Sequence, residues 1–202
     1  KARQAFETLS KAEQRVEIAK DVLAQLKAKT LIAESGVWVN VLSSNKYGNT
    51  SDSLFDMVEK KGDKNDKEVA DVLKKKKCRV CALGACFVST VKKLDKLKMS
   101  DLENGQNDFA VLVKYLSKVF SKDQLKLIEV AFEEDGGQVS SDDVYNGQVA
   151  SIFFENIVNS INDDWDSWDD LKLRLIMENI IANKGLFKPS KKLFSLNFSL
   201  FN

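Results

Sequence analysis

The spacing of apolar positions predicts a chain built mainly from helices. Behind Ser10-Lys-Ala-Glu13, the residues Val16, Ala19, Val22, Leu23 and Leu26 recur every three or four positions, as one buried helical stripe requires. Ser10 and Glu13 form a capping box, each side chain satisfying an amide left free at a helix start. Lys27 and Lys29 suit the negative end of the helix dipole, so this helix is expected over about 11–29. Similar stripes follow. Val69, Val72 and Leu73 predict a helix from about Asp66 that ends in Lys74–Lys77, and Phe109, Leu112, Val113, Leu116 and Phe120 predict another. Ser121-Lys-Asp-Gln124 caps a helix carrying Leu125, Ile128 and Phe132. Val144, Val149, Ile152, Phe153, Ile157 and Ile161 suit a further one. Leu171, Leu175, Met177, Ile180 and Ile181 suit the last, with Lys184-Gly185 and Pro189 as its stop.

Two stretches depart from this pattern. Val80–Val91 is almost uniformly apolar or small, which predicts a helix buried at the centre of the domain, over about 80–97. Gly84 costs such a helix about 1 kcal/mol relative to alanine, and close approach by a neighbouring helix would offset it. In Val37–Leu42, β-branched residues alternate with Trp38, Asn40 and Leu42, as in a strand. With Ser35-Gly36 as a turn, a minor β-hairpin is expected over about 31–42, followed by a loop at Ser43–Thr50. The fold expected is mainly α: a single-domain helical bundle over residues 1–202 around the buried central helix. Its apolar C-terminal tail, residues 190–202, either docks beside the hairpin or mediates oligomerisation.

Composition removes much chemistry. The chain has no histidine, so serine–histidine and cysteine–histidine catalysis and histidine-ligated metals are excluded within it. No apolar run approaches the roughly 20 residues of a membrane span, and Lys1–Glu7 lacks the apolar core of a signal peptide. Three clustered cysteines make no disulfide framework, which points to a reducing cytoplasm. The net charge of +1 hides a polarity: residues 60–98 hold 13 Lys+Arg against 5 Asp+Glu, and residues 99–202 hold 10 against 17. That asymmetry marks either a surface for an anionic partner or two solvated faces.

Four groups of residues could carry chemistry. Cys78-x-x-Cys81-x-x-x-x-Cys86 reads as a dithiol, as an incomplete metal site, or as small side chains packed in a crowded helix; packing is the reading adopted, with no cofactor. Asp163-Asp-Trp-Asp-Ser-Trp-Asp-Asp170 offers oxygen ligands to a divalent cation, but lacks the calcium-loop glycine and equally suits an acidic helix start. Lys74, Lys75, Lys76 and Lys77 with Arg79 could meet phosphates or an acidic partner, although no aromatic stacking residue accompanies them. Trp38, Asn45 and Tyr47 could stack on and hydrogen-bond a polar ring. Arg79 and Arg174 complete that candidate ligand set, because a guanidinium beside the Leu171/Leu175 stripe must be paired or reach water.

Cys81-Ala-Leu-Gly-Ala-Cys-Phe87 resembles the "CALGA" core helix of uncharacterised bacterial and bacteriophage proteins. Val16–Lys27 and Leu175–Asn183 resemble other recurrent segments of the same proteins. The resemblance implies a phage or bacterial source and carries no established activity or functional residue. The function expected is a non-enzymatic binding protein of the bacterial host cytoplasm, acting against host defence. It would sequester a nucleotide-like signal or occlude a host protein. Nucleic acid is a less favoured partner, and no membrane is expected. The rivals are a metal-dependent hydrolase using the Asp163–Asp170 carboxylates and a self-assembling structural protein.

Overall fold

The computed structural model describes residues 2–45, 48–54, 66–94, 97, 108–133 and 168–189. Their order is α1 (Ala2–Thr8), α2 (Lys11–Lys27), β1 (Leu31–Ala33), β2 (Val39–Asn45) and β3 (Gly48–Ser53), then α3 (Asp66–Lys75), β4 (Cys78–Val80) and α4 (Ala82–Leu94). After these come α5 (Asp108–Leu116), α6 (Lys122–Glu133) and α7 (Trp168–Ala182). The expected tail contact (190–202), the helix expected from Val144 to Ile161 and most of the acidic cluster at 163–170 lie outside the described residues.

Helix α2 starts where its sequence dictates. Ser10 Oγ accepts from the Glu13 amide and the Glu13 carboxylate accepts from the Ser10 amide, so both halves of the capping box are present. The helix ends at Lys27, two residues early, because Lys29 adopts the left-handed conformation at φ 52°. Arg15 then ties α2 to the turns that follow α5 and α7, donating from Nε to the Gly185 carbonyl at 2.5 Å and from Nη1 to the Val119 carbonyl at 2.7 Å. The Ser121 cap forms only in part. Ser121 Oγ takes the Gln124 amide, but the Gln124 side chain instead exchanges two hydrogen bonds with the backbone of Phe187.

Helix α4 is the predicted buried centre: every residue from Ala82 to Val91 is buried. Helices α1, α2, α3, α5 and α6 pack around it, and β1 and β4 lie against it. The mainly α fold with a minor β component is therefore as the periodicity indicates. Gly84, however, is approached by backbone, not by a helix. A Cβ at this position would overlap the Trp38 carbonyl oxygen and lie 3.1 Å from Val39 Cγ2.

The β component is a four-stranded mixed sheet of order β1-β4-β2-β3. The segments at 31–33 and 39–45 do not form the expected hairpin with each other, because β4 lies between them, parallel to β1 and antiparallel to β2. The hairpin is β2–β3, pairing Asn45 with Gly48, so Ser43–Asn45 and Gly48–Thr50, expected in a loop, are paired strands. Their Ser, Asn, Thr and Asp content suits an edge strand, where backbone pairing holds the ladder and polar side chains discourage further strands. Burial alternates as the pleat requires. Leu31, Ala33, Cys78, Val80, Val39 and Val41 face the core, while Ile32, Arg79, Asn40 and Leu42 are partly or fully exposed on the other side.

Candidate binding surfaces

The three thiols belong to the core. Cys78 faces inward from β4 and Cys86 lies in the middle of α4, and both are fully buried. Cys81 stands at the strand–helix junction, where its Sγ accepts from the Gly84 amide at 3.3 Å and its own amide donates to the Val37 carbonyl. Burial pushes Cys78 up to about 11 and Cys86 up to about 12. It raises Cys81 further still, with a smaller contribution from the Glu133 and Glu129 carboxylates. Neutral thiols in this setting are poor nucleophiles and poor metal ligands. Among the described residues, no three Cys, Asp or Glu side chains gather in a way that could hold a metal ion.

The described members of the proposed ligand set sit on several elements. Trp38 is half-buried at the margin of the core, its carbonyl against α4. Arg79 projects from the outer face of the sheet and pairs with Glu34 at 3.3 Å. Arg174 lies half-buried on α7, 3.7 Å from Glu178 one turn along. Asn45 ends β2 opposite Gly48, and Tyr47 lies outside the described residues.

Strand pairing does gather part of the basic segment on one surface. Across the outer face of the sheet, Ile32, Arg79, Asn40 and Ser53 form one row by register. In the next row Lys77 accepts the Leu42 amide at its carbonyl, and Leu42 pairs with Ser51. Lys75, Lys76 and Lys77 are exposed, and Lys74 is held by Asp71 at 3.4 Å. Lys77 and Arg79, two apart, flank the inward-facing Cys78 and so share the outward side.

The acidic residues that the structure describes in the 163–170 cluster have a different task from cation binding. Asp170 accepts the Ala33 amide at 2.7 Å. Asp169 accepts both the amide and the hydroxyl of Ser35, and Glu133 from α6 accepts the Gly36 amide at 2.6 Å. Three carboxylates thus hold the turn between β1 and β2, where Gly36 sits at φ 73°. Beneath them Lys172, 1% exposed, donates to the Phe132 carbonyl, lies 4.0 Å from Asp169 and stacks over the Phe132 and Trp168 rings. Burial, with Glu133 nearby, raises the Glu129 carboxyl to about 7. The sequence signal for this clamp was the acidic start of α7; what those carboxylates would grip was not encoded locally.

A further surface was missed from sequence altogether. Helices α1 and α2, with the ends of α4 and α7, enclose an open groove of about 830 Å³. Its apolar lining includes Ala5, Leu9, Ala12, Val16 and Ile181, and its charged rim is Glu13, Glu17, Lys20, Lys92, Lys93 and Lys184. Val16, expected in the core stripe, is half-exposed here, while Ile18, Ala19 and Val22 form the core side of α2.

The chain matches no protein-family model, no curated protein and no solved structure.

Proposed function

We propose that this chain is a non-enzymatic binding protein of the bacterial cytoplasm that covers an acidic surface of a host protein, in the setting of phage infection. The observation that carries this reading is the outer face of the sheet, where exposed Lys77 and Arg79, the latter paired with Glu34, project beside Asn40, Ser51 and Ser53. Cationic side chains on a pleated surface, interleaved with hydroxyl and amide groups, suit carboxylate-rich partners. Such charge steers association and selects among partners. Two further features support binding over catalysis: no histidine is present, and all three thiols are buried and neutral. The phage setting and the link to host defence rest on the likeness of Cys81–Phe87 to the CALGA segment. An open face offers contact area to a macromolecule, and protein occlusion is therefore preferred over capture of a nucleotide-like signal.

The test is affinity recovery from host lysate with wild-type protein and with a Lys77→Glu/Arg79→Glu variant of matched thermal stability. An acidic host protein retained by the wild type and lost from the variant supports the reading. Recovery of the same proteins by both, or of none by the wild type, overturns it.

A further inference from the structure

We infer that the groove between α1 and α2 is a docking site for an amphipathic helix of a partner protein whose polar flanks are acidic. Helix α2 carries two apolar stripes. Ile18, Ala19 and Val22 enter the core, whereas Ala12 and Val16, continuous with Leu9, line the groove at intervals of three and four. Buried Gln14 of α2 holds the end of α1 in place, its Nε2 donating to the Phe6 and Leu9 carbonyls at 3.1 Å each. Alanines at positions 5 and 12 allow a helix backbone to come close, and Ile181 closes the floor from α7.

Charge selects the occupant. Four lysines face two glutamates around the rim; both glutamates are engaged, and Lys92 donates to Gln25 Oε1 with the Asp21 carboxylate nearby. Glu13 holds the Ser10 amide at 2.8 Å, and Glu17 lies 2.9 Å from Lys20 Nζ and 3.6 Å from Lys93 Nζ. One carboxylate therefore serves two ammonium groups, and exposed Lys184, in the turn after α7, adds a further charge. An incoming helix with Asp or Glu flanking an i, i+3, i+4, i+7 apolar face would satisfy floor and rim together. The groove is partly open and is lined from both α1 and α2, which leaves room for a helix to lie across them. The inference is independent of the sheet face, which lies on other elements.

The probes are two fluorescein-labelled helical peptides of about four turns with the same leucine face. One carries glutamate at its polar positions and the other lysine. Fluorescence anisotropy with the full chain is expected to show the glutamate peptide binding about tenfold or more tighter than its lysine counterpart, with the difference shrinking at high salt. Val16→Asp should abolish this binding. Because Val16 lies outside the core stripe, that variant should keep the wild-type circular dichroism and melting temperature. A Lys20→Glu/Lys184→Glu variant, with both substitutions at exposed rim positions, should reverse the preference toward the lysine peptide. Equal affinity for the two peptides, no binding of either, or indifference to Val16→Asp would overturn the inference. So would binding of dodecanoate in the absence of peptide binding.

Discussion

The carbonyl oxygen of Trp38 occupies the space that a Cβ at position 84 would need. The chain entering β2 and the first turn of α4 are in backbone contact, reinforced by the Cys81 amide donating to the Val37 carbonyl. Gly84→Ala gains helix propensity but must displace backbone, so a net loss of about 3 kcal/mol is expected. Gly36→Ala meets no atom within 4 Å and suffers only from its positive φ, which costs about 1 kcal/mol. Urea denaturation of the two variants should rank them in that order; a Gly84→Ala protein as stable as wild type would contradict the contact.

The buried thiols should resist modification. At pH 8 an aromatic disulfide reagent is expected to label the folded protein far more slowly than a free cysteine, because Cys78 titrates near 11 and Cys86 near 12. All three should react at once in denaturant. Rapid labelling of the folded chain would mean that one thiol is exposed and activated.

Glu129 should make stability depend on pH. Its folded-state value, about 7, lies above the ordinary 4.5, so the folded chain holds this proton more tightly than the unfolded chain. The contribution is full below pH 4.5 and is lost as pH rises through 7. Glu129→Gln removes the penalty of ionising the half-buried carboxyl. The variant should therefore melt about 2 °C higher than wild type at pH 8, with the gap closing toward pH 4.5. Thermal melts across that range decide the point, and a gap that widens in acid would reverse the assignment.

The carboxylate clamp should be local and measurable. Asp170→Ala leaves the Ala33 amide without its acceptor and should cost about 2 kcal/mol. Hydrogen exchange should speed up at Ala33 more than at Leu83 in α4. Uniform acceleration at both amides would mean that the carboxylate supports the fold generally and does not hold that turn.

Lys172→Ala should cost more than Lys172→Met. Both lose the bond to the Phe132 carbonyl, but methionine preserves the packing of the buried stem. A difference of about 2 kcal/mol in chemical denaturation is expected, since alanine also leaves a cavity. Equal losses would show that packing of the stem contributes nothing.

Helix positions, the α2 cap and the central burial of residues 82–91 were legible because each is governed by neighbours three or four residues away. The same holds for the inward face of β2, where Val39 and Val41 alternate with exposed positions. What lay beyond reach was who sits next to whom. Cys78-Arg79-Val80 is too short to announce a strand beside an apolar run, yet it divides the expected hairpin. Likewise, Ser43–Thr50 reads as loop because its pairing uses backbone groups common to every residue.

The candidate surfaces divide in the same way. Alternation around Cys78 already places Lys77 and Arg79 on one side, but only the strand order sets Asn40 and Leu42 beside them. The acidic start of α7 was visible, whereas its grip on Ala33 and Ser35 depends on a contact spanning more than 130 positions. Val16 fits the core stripe by spacing, and the placement of α1 and α7 puts it in the groove instead. Periodicity reports which face of an element is apolar; which apolar face is covered depends on the packing of elements remote in the chain.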